Sequence, residues 1–179
     1  MLHIYFKLGG SMAETARPKA QTAGILIRVL AGCYDAALLV GIGFIAFIPV
    51  SIVEQNIGEA PVWVKQLLFM TVSFGYFVGF WYKDSATTGM RPWRLRIAMI
   101  NSGDSITMMA AIVRYFGLLI TWLAMAMTLL YLFGHYTGHP LFMVSAGLPA
   151  LSMLCMMLTP RRQALHDLIA GTGIYRIKE

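Results

Sequence analysis

Five residues in this chain have types and positions suited to chemistry: Arg28, Asp35, Arg114, His166 and Asp167. Asp35 stands in TAGILIRVLAGCYDAALLVGIGFIAFIPV and is the only charge between Arg28 and Glu54. A carboxylate partway down a membrane-length apolar stretch costs about 2.5–3.5 kcal/mol to insert, and more if it stays charged and faces lipid. It needs a partner, a proton or a water-lined cavity. Arg28 lies two helical turns earlier on the same face, ~10 Å away along the axis and out of simple contact. Ala31 and Gly32 between them are small enough to admit a neighbouring helix. Arg114, preceded by the apolar MMAAIV, is expected at the depth of Asp35, and the two are expected to face each other. A carboxylate paired in this way can bind a cation, or take a proton and release its arginine.

His166 beside Asp167 has the form of an acid–base dyad. No Ser or Cys nucleophile stands in a matching context, so a structural hydrogen-bond anchor is expected and enzymatic activity is not. If RRQALHDLIAG is helical, Arg162 and His166 share a face, as do Gln163 and Asp167, and Gly171 ends the helix. His135 and His139 have i,i+4 spacing, but Gly134, Gly138 and Pro140 oppose a helix there, and no metal site is expected. The thirteen methionines read as gap-filling and lipid-facing residues. Cys33 and Cys155 read as small packing residues. The sequence has no Gly-rich phosphate loop, and no cofactor is expected. Arg91, Arg94 and Arg96 are expected to meet anionic lipid headgroups rather than nucleic acid.

These residues must be positioned by membrane-spanning elements. The 179 residues are 58% hydrophobic and 12% charged, with a mean hydropathy of +0.68. A soluble domain of this size cannot hide so much apolar surface. Four spans are expected, about 25–48 (ending at Pro49), 62–82, 105–133 and 141–159, the last with Pro149 inside it. Together they make an all-α, four-helix membrane bundle in one domain, residues 21–179, with a tail over 160–179. Lys and Arg cluster in the N-terminal arm, between the second and third spans, and in the tail. The positive-inside rule then places both termini in the cytoplasm. Trp93, Leu95 and Ile97 alternate with Arg94 and Arg96 before the turn NSGD, the period of a short strand. GTGIYRIKE is short and β-branched, so the two segments can pair as a small ribbon on the cytoplasmic face. MLHIYFKLGGS is a poor signal peptide, and Met12 makes a natural polar start. Residues 1–20 are expected to form a flexible arm.

The pattern R-x-x-A-x-x-x-D (Arg28, Ala31, Asp35), the stretch TTGMRPWRLRI (Thr87–Ile97) and above all RRQALHDLIAGT (Arg161–Thr172) resemble the RDD family of small bacterial membrane proteins. The resemblance covers about residues 22–178. It implies that Arg28, Asp35 and Asp167 are the arginine and two aspartates for which the family is named. It also implies a multi-pass inner-membrane protein, with transport suggested and cation/proton exchange among the family's activities. The chain departs from the family at Ser85–Ala86, where members often carry Gly-Gln.

The expected function is a small ion- or proton-coupled transporter or exchanger component, with Asp35 as the binding carboxylate, Arg114 as its partner, and Arg28 and Asp167 as a cytoplasmic gate. A monovalent cation or a proton is the expected cargo. Four helices without an internal repeat are few for alternating access, so a homo-oligomer is expected. The alternative is a non-catalytic scaffold or accessory subunit whose charges only join the helices to the tail.

Overall fold

The computed structural model describes residues 4–5, 19–135 and 137–177. Four long helices carry most of the chain: α1 (Ile25–Ile57), α2 (Val62–Asp84), α3 (Met108–Phe133) and α4 (Pro140–Leu158). Each is long and apolar enough to cross a membrane. Their outer faces carry exposed Phe44, Ile45, Leu130, Phe133, Met143 and Val144. Surface of this kind is stable against lipid and not against water. The chain is therefore an integral membrane protein.

The helix ends differ from expectation in one place. Pro49 does not end α1, which continues to Ile57. Proline removes one backbone donor but does not forbid continuation in a membrane helix, where the freed carbonyl finds other partners. At the far end, Glu54 accepts from the Ala60 amide at 2.9 Å and pairs with Lys65 at 2.7 Å, which closes the α1–α2 loop.

Opposite that loop lies a cap of short elements. They are β1 (Ile4–Tyr5), β2 (Lys19–Thr22), a 3-10 turn η1 (Thr88–Trp93), β3 (Leu95–Met99), the one-turn helix α5 (Leu165–Ile169) and β4 (Thr172–Ile177). The strands form an antiparallel sheet in the order β1-β2-β4-β3. The expected ribbon is the β3–β4 pair, with Ile97 opposite Ile174 and Met99 opposite Thr172. β2 adds a further strand, Thr22 facing Tyr175, that KAQT does not announce because it lacks an apolar alternation. The rest of the arm 1–20, beyond Ile4–Tyr5 and Lys19–Ala20, lies outside the described residues. Leu95, Ile97 and Ile174 bury their side chains together with Trp81 and Ala111 of the bundle. The sheet is thus seated on the helices, as so short a sheet requires.

The residues between α4 and Leu165 are not helical. Arg162 takes a left-handed φ of 52°, and only one turn of helix follows, from Leu165. Arg162 and His166 therefore do not share a helix face. Gly171, at φ 63°, ends the turn as the sequence indicates.

Candidate functional site

The buried side of α1 is a stripe of Arg28, Ala31, Asp35 and Leu39, set by helical spacing. Asp35 does not meet Arg114. Its Oδ1 accepts from the Tyr76 hydroxyl at 2.6 Å and the Gly89 amide at 2.8 Å, and its Oδ2 accepts from Thr87 Oγ1 at 2.6 Å. The reason is local. α1 packs on α2 and η1, whereas α3 packs on α2, α4 and α5. The backbone donors at the start of η1 need acceptors; the Thr87 carbonyl takes the Met90 amide, but the Thr87 side chain, at the N-cap, caps none. The carboxylate of α1 serves in its place.

Gly89 is the residue that permits this approach. A Cβ there would lie 2.6 Å from both the Ala31 carbonyl oxygen and Asp35 Oδ1. TTG within TTGMRPWRLRI thus gives Asp35 a hydroxyl and a bare amide. Tyr76, the third donor, carries no sequence signal beyond being a tyrosine in an apolar span.

The second centre is built around Asp167, which is fully buried. Arg114 donates to Oδ1 through Nη1, and the same nitrogen donates to Thr172 Oγ1 at 2.8 Å. Arg28 Nη1 lies 3.4 Å from Oδ2. The Ala164 amide donates to Oδ2 at 3.2 Å, so Asp167 caps the first turn of its own helix. Arg28 also donates to the carbonyls of Arg161, Arg162 and Ile174, tying α1 to the tail and to β4. Gln163 Nε2 donates to the Thr172 carbonyl at 2.8 Å. The Arg114 guanidinium carbon sits 4.9 Å from the Trp81 ring centroid, a cation–π contact. Close packing of α5 on α3 depends on Gly117, where a Cβ would come within 2.9 Å of His166 Cβ.

Burial raises the pKa of the Asp167 carboxyl, but Arg114, His166 and Arg28 outweigh it and hold the group below the usual carboxylate range. His166 Nε2 is 3.5 Å from Asp167 Oδ1. Burial lowers the His166 pKa to about 4; Asp167 opposes that shift, and Arg114 and Arg28 reinforce it. The imidazole is therefore neutral at pH 7. Two guanidiniums against one carboxylate leave this centre with a positive charge in excess.

Arg91, Arg94 and Arg96 lie apart from both centres. Arg91 pairs with Asp84 at 2.6 Å and stands over Phe80, and Arg96 donates to the Asp84 carbonyl at 2.8 Å. Arg94 closes η1 with a left-handed φ of 54°.

Between α1 and the α3–α4 pair runs a cleft of about 680 Å³. Its walls are apolar, with Phe77 and Trp81 of α2 behind, and both charged centres border it at the cap end.

Four apolar spans, with buried charges that bind a small sheet and its turns at one end, define a multi-pass membrane protein. The model of the RDD family matches residues 22–171, and the chain belongs to that family. No curated protein and no solved structure matches it.

Proposed function

We propose that this chain is a non-enzymatic scaffold or accessory component of the bacterial cytoplasmic membrane, whose intramembrane charges clamp the cap onto the helices. The observation that carries this reading is the donor set of the two aspartates. Each carboxylate oxygen of Asp35 and Asp167 is taken, and cap segments supply donors to both residues. Donors aimed at a carboxylate hold an anion in place, whereas a cation site needs oxygens turned the other way. The excess of Lys and Arg on the cap segments supports a cytoplasmic cap with both termini on that side. Arg91, Arg94 and Arg96 then stand where anionic headgroups lie. Hydrogen exchange tests the clamp. Asp35→Asn should speed exchange of the Gly89 amide and the rest of η1, and leave the middle of α3 unchanged. Unaltered protection of η1 would remove the basis of the reading.

One observation favours the second reading, ion- or proton-coupled transport: both charged centres border the same cleft. On that reading a monovalent cation or proton reaches Asp35 along the cleft, and a homo-oligomer closes its open side.

A further inference from the structure

Arg114 spends only one of its nitrogens on Asp167. Both of its side-chain hydrogen bonds, to Asp167 and to Thr172, leave from Nη1. A guanidinium normally meets a carboxylate with two parallel N–H groups. Here Nε is buried and unpartnered, and no hydrogen bond leaves Nη2 among the described residues. Arg28 Nε is buried and unpartnered as well. A buried donor without an acceptor is costly, so each is a place where an acceptor belongs. Both arginines border the cap end of the cleft.

The rest of the cleft is a slot for hydrocarbon. On α3 its wall is Leu118, Thr121, Trp122, Met125 and Thr128, one helical face running on from Arg114. From Arg114 to Thr128 that face is ~21 Å long at 1.5 Å per residue. One leaflet of a ~30 Å hydrocarbon core is shorter than that. Gly32 and Cys33 of α1 and Ala146 and Ala150 of α4 line the facing walls, and small residues such as these leave width for a chain. Asp35 borders the same cleft, but both its oxygens are covered by donors.

We infer that this cleft seats an anionic membrane lipid, its acyl chain lying along α3 and its acidic headgroup taking the unused edge of Arg114. The excess positive charge at the Asp167 centre supplies the complement to the headgroup. The hydrocarbon walls assign the ligand to a lipid rather than to a soluble anion.

Native mass spectrometry of the purified protein released from mixed nanodiscs of phosphatidylglycerol and phosphatidylcholine tests this. The wild type should retain phosphatidylglycerol with about tenfold preference, because both lipids offer a phosphodiester but the choline cation of phosphatidylcholine is repelled by the excess positive charge at the Asp167 centre. Arg114→Lys keeps a cation for Asp167 but has no second edge for a phosphodiester, so it should retain less of both lipids than the wild type. Gly32→Trp and Ala146→Trp leave the charges untouched and fill the slot, so both lipids should be lost while the melting temperature in lipid-free detergent stays unchanged. These two variants carry the test if Arg114→Lys fails to fold. Phosphatidylglycerol should also slow maleimide labelling of Cys33 in a Cys155→Ser background. Equal retention of the two lipids by the wild type would overturn the proposal. So would undiminished phosphatidylglycerol retention in both tryptophan variants, or equal stabilisation by inorganic phosphate alone. A dimer that dissociates in the tryptophan variants, with no lipid bound to the wild type, would assign the cleft to a second copy of the chain instead.

Discussion

The Gly89 amide donates to Asp35 Oδ1 at 2.8 Å, so a carboxylate on the first membrane helix caps a 3-10 turn that follows the second. Helix starts are normally capped from within, by the residue at the N-cap. Here Thr87 occupies that position and turns its hydroxyl to the same carboxylate. The intramembrane charge that dominates the sequence is thereby accounted for by the cap it holds.

Asp35→Ala leaves three buried donors without an acceptor, each worth about 1–3 kcal/mol. We expect a loss of about 3 kcal/mol or more in denaturant unfolding of the detergent-solubilised protein, and a smaller loss for Asp35→Asn, which keeps one oxygen. Gly89→Ala should cost about 1–3 kcal/mol through overpacking against Ala31 and Asp35. If Gly89→Ala melts with the wild type, η1 does not lie where we place it.

Asp167→Asn removes the counter-charge of two buried guanidiniums. Breaking such a pair from one side costs about 3–5 kcal/mol. Adding Arg114→Met to Asp167→Asn should recover part of that loss, giving a coupling energy of about 0.5–3 kcal/mol in a double-mutant cycle. Strict additivity would mean that the two side chains are not in contact.

His166 makes stability depend on pH. Its folded pKa, about 4, lies below the unfolded value of 6.5. Between these values the unfolded chain binds a proton that the native protein does not, so stability is full above pH 6.5 and falls as pH drops toward 4. The slope in that window is about 1.4 kcal/mol per pH unit. Asp167, also held below its ordinary value, adds its own loss only at lower pH. His166→Asn should flatten the melting temperature between pH 6.5 and 4.5. A wild-type profile already flat there would contradict the burial of a neutral imidazole.

Ser85 ends α2 with a left-handed φ of 55°. A side chain in that region costs roughly 1 kcal/mol, which glycine avoids. Ser85→Gly should raise the melting temperature, and a fall would show that the serine hydroxyl matters more than the backbone.

Much of this arrangement is legible before folding is considered. Hydropathy locates the four spans because lipid demands ~20 apolar residues per helix. Period-two alternation around Leu95 and Ile97 locates β3, and the β-branched tail locates β4. The pairing of charges is not legible. The sequence leads one to expect Arg114 at the depth of Asp35, yet depth does not decide which helices touch. That choice is made by Gly117, which admits α5 to α3, and by Gly89, which admits η1 to α1. A glycine in a sequence does not say which neighbour it is making room for.

Cation and proton flux in proteoliposomes, measured together with stability, bears most directly on the clamp. Liposomes of wild type and Asp35→Asn would be compared under Na⁺, K⁺ and Li⁺ gradients and under a pH gradient. A clamp predicts flux no greater than protein-free liposomes, and an Asp35→Asn variant changed only in melting temperature and in Gly89 protection. Wild-type flux that disappears in an Asp35→Asn variant of unchanged stability and protection would contradict it.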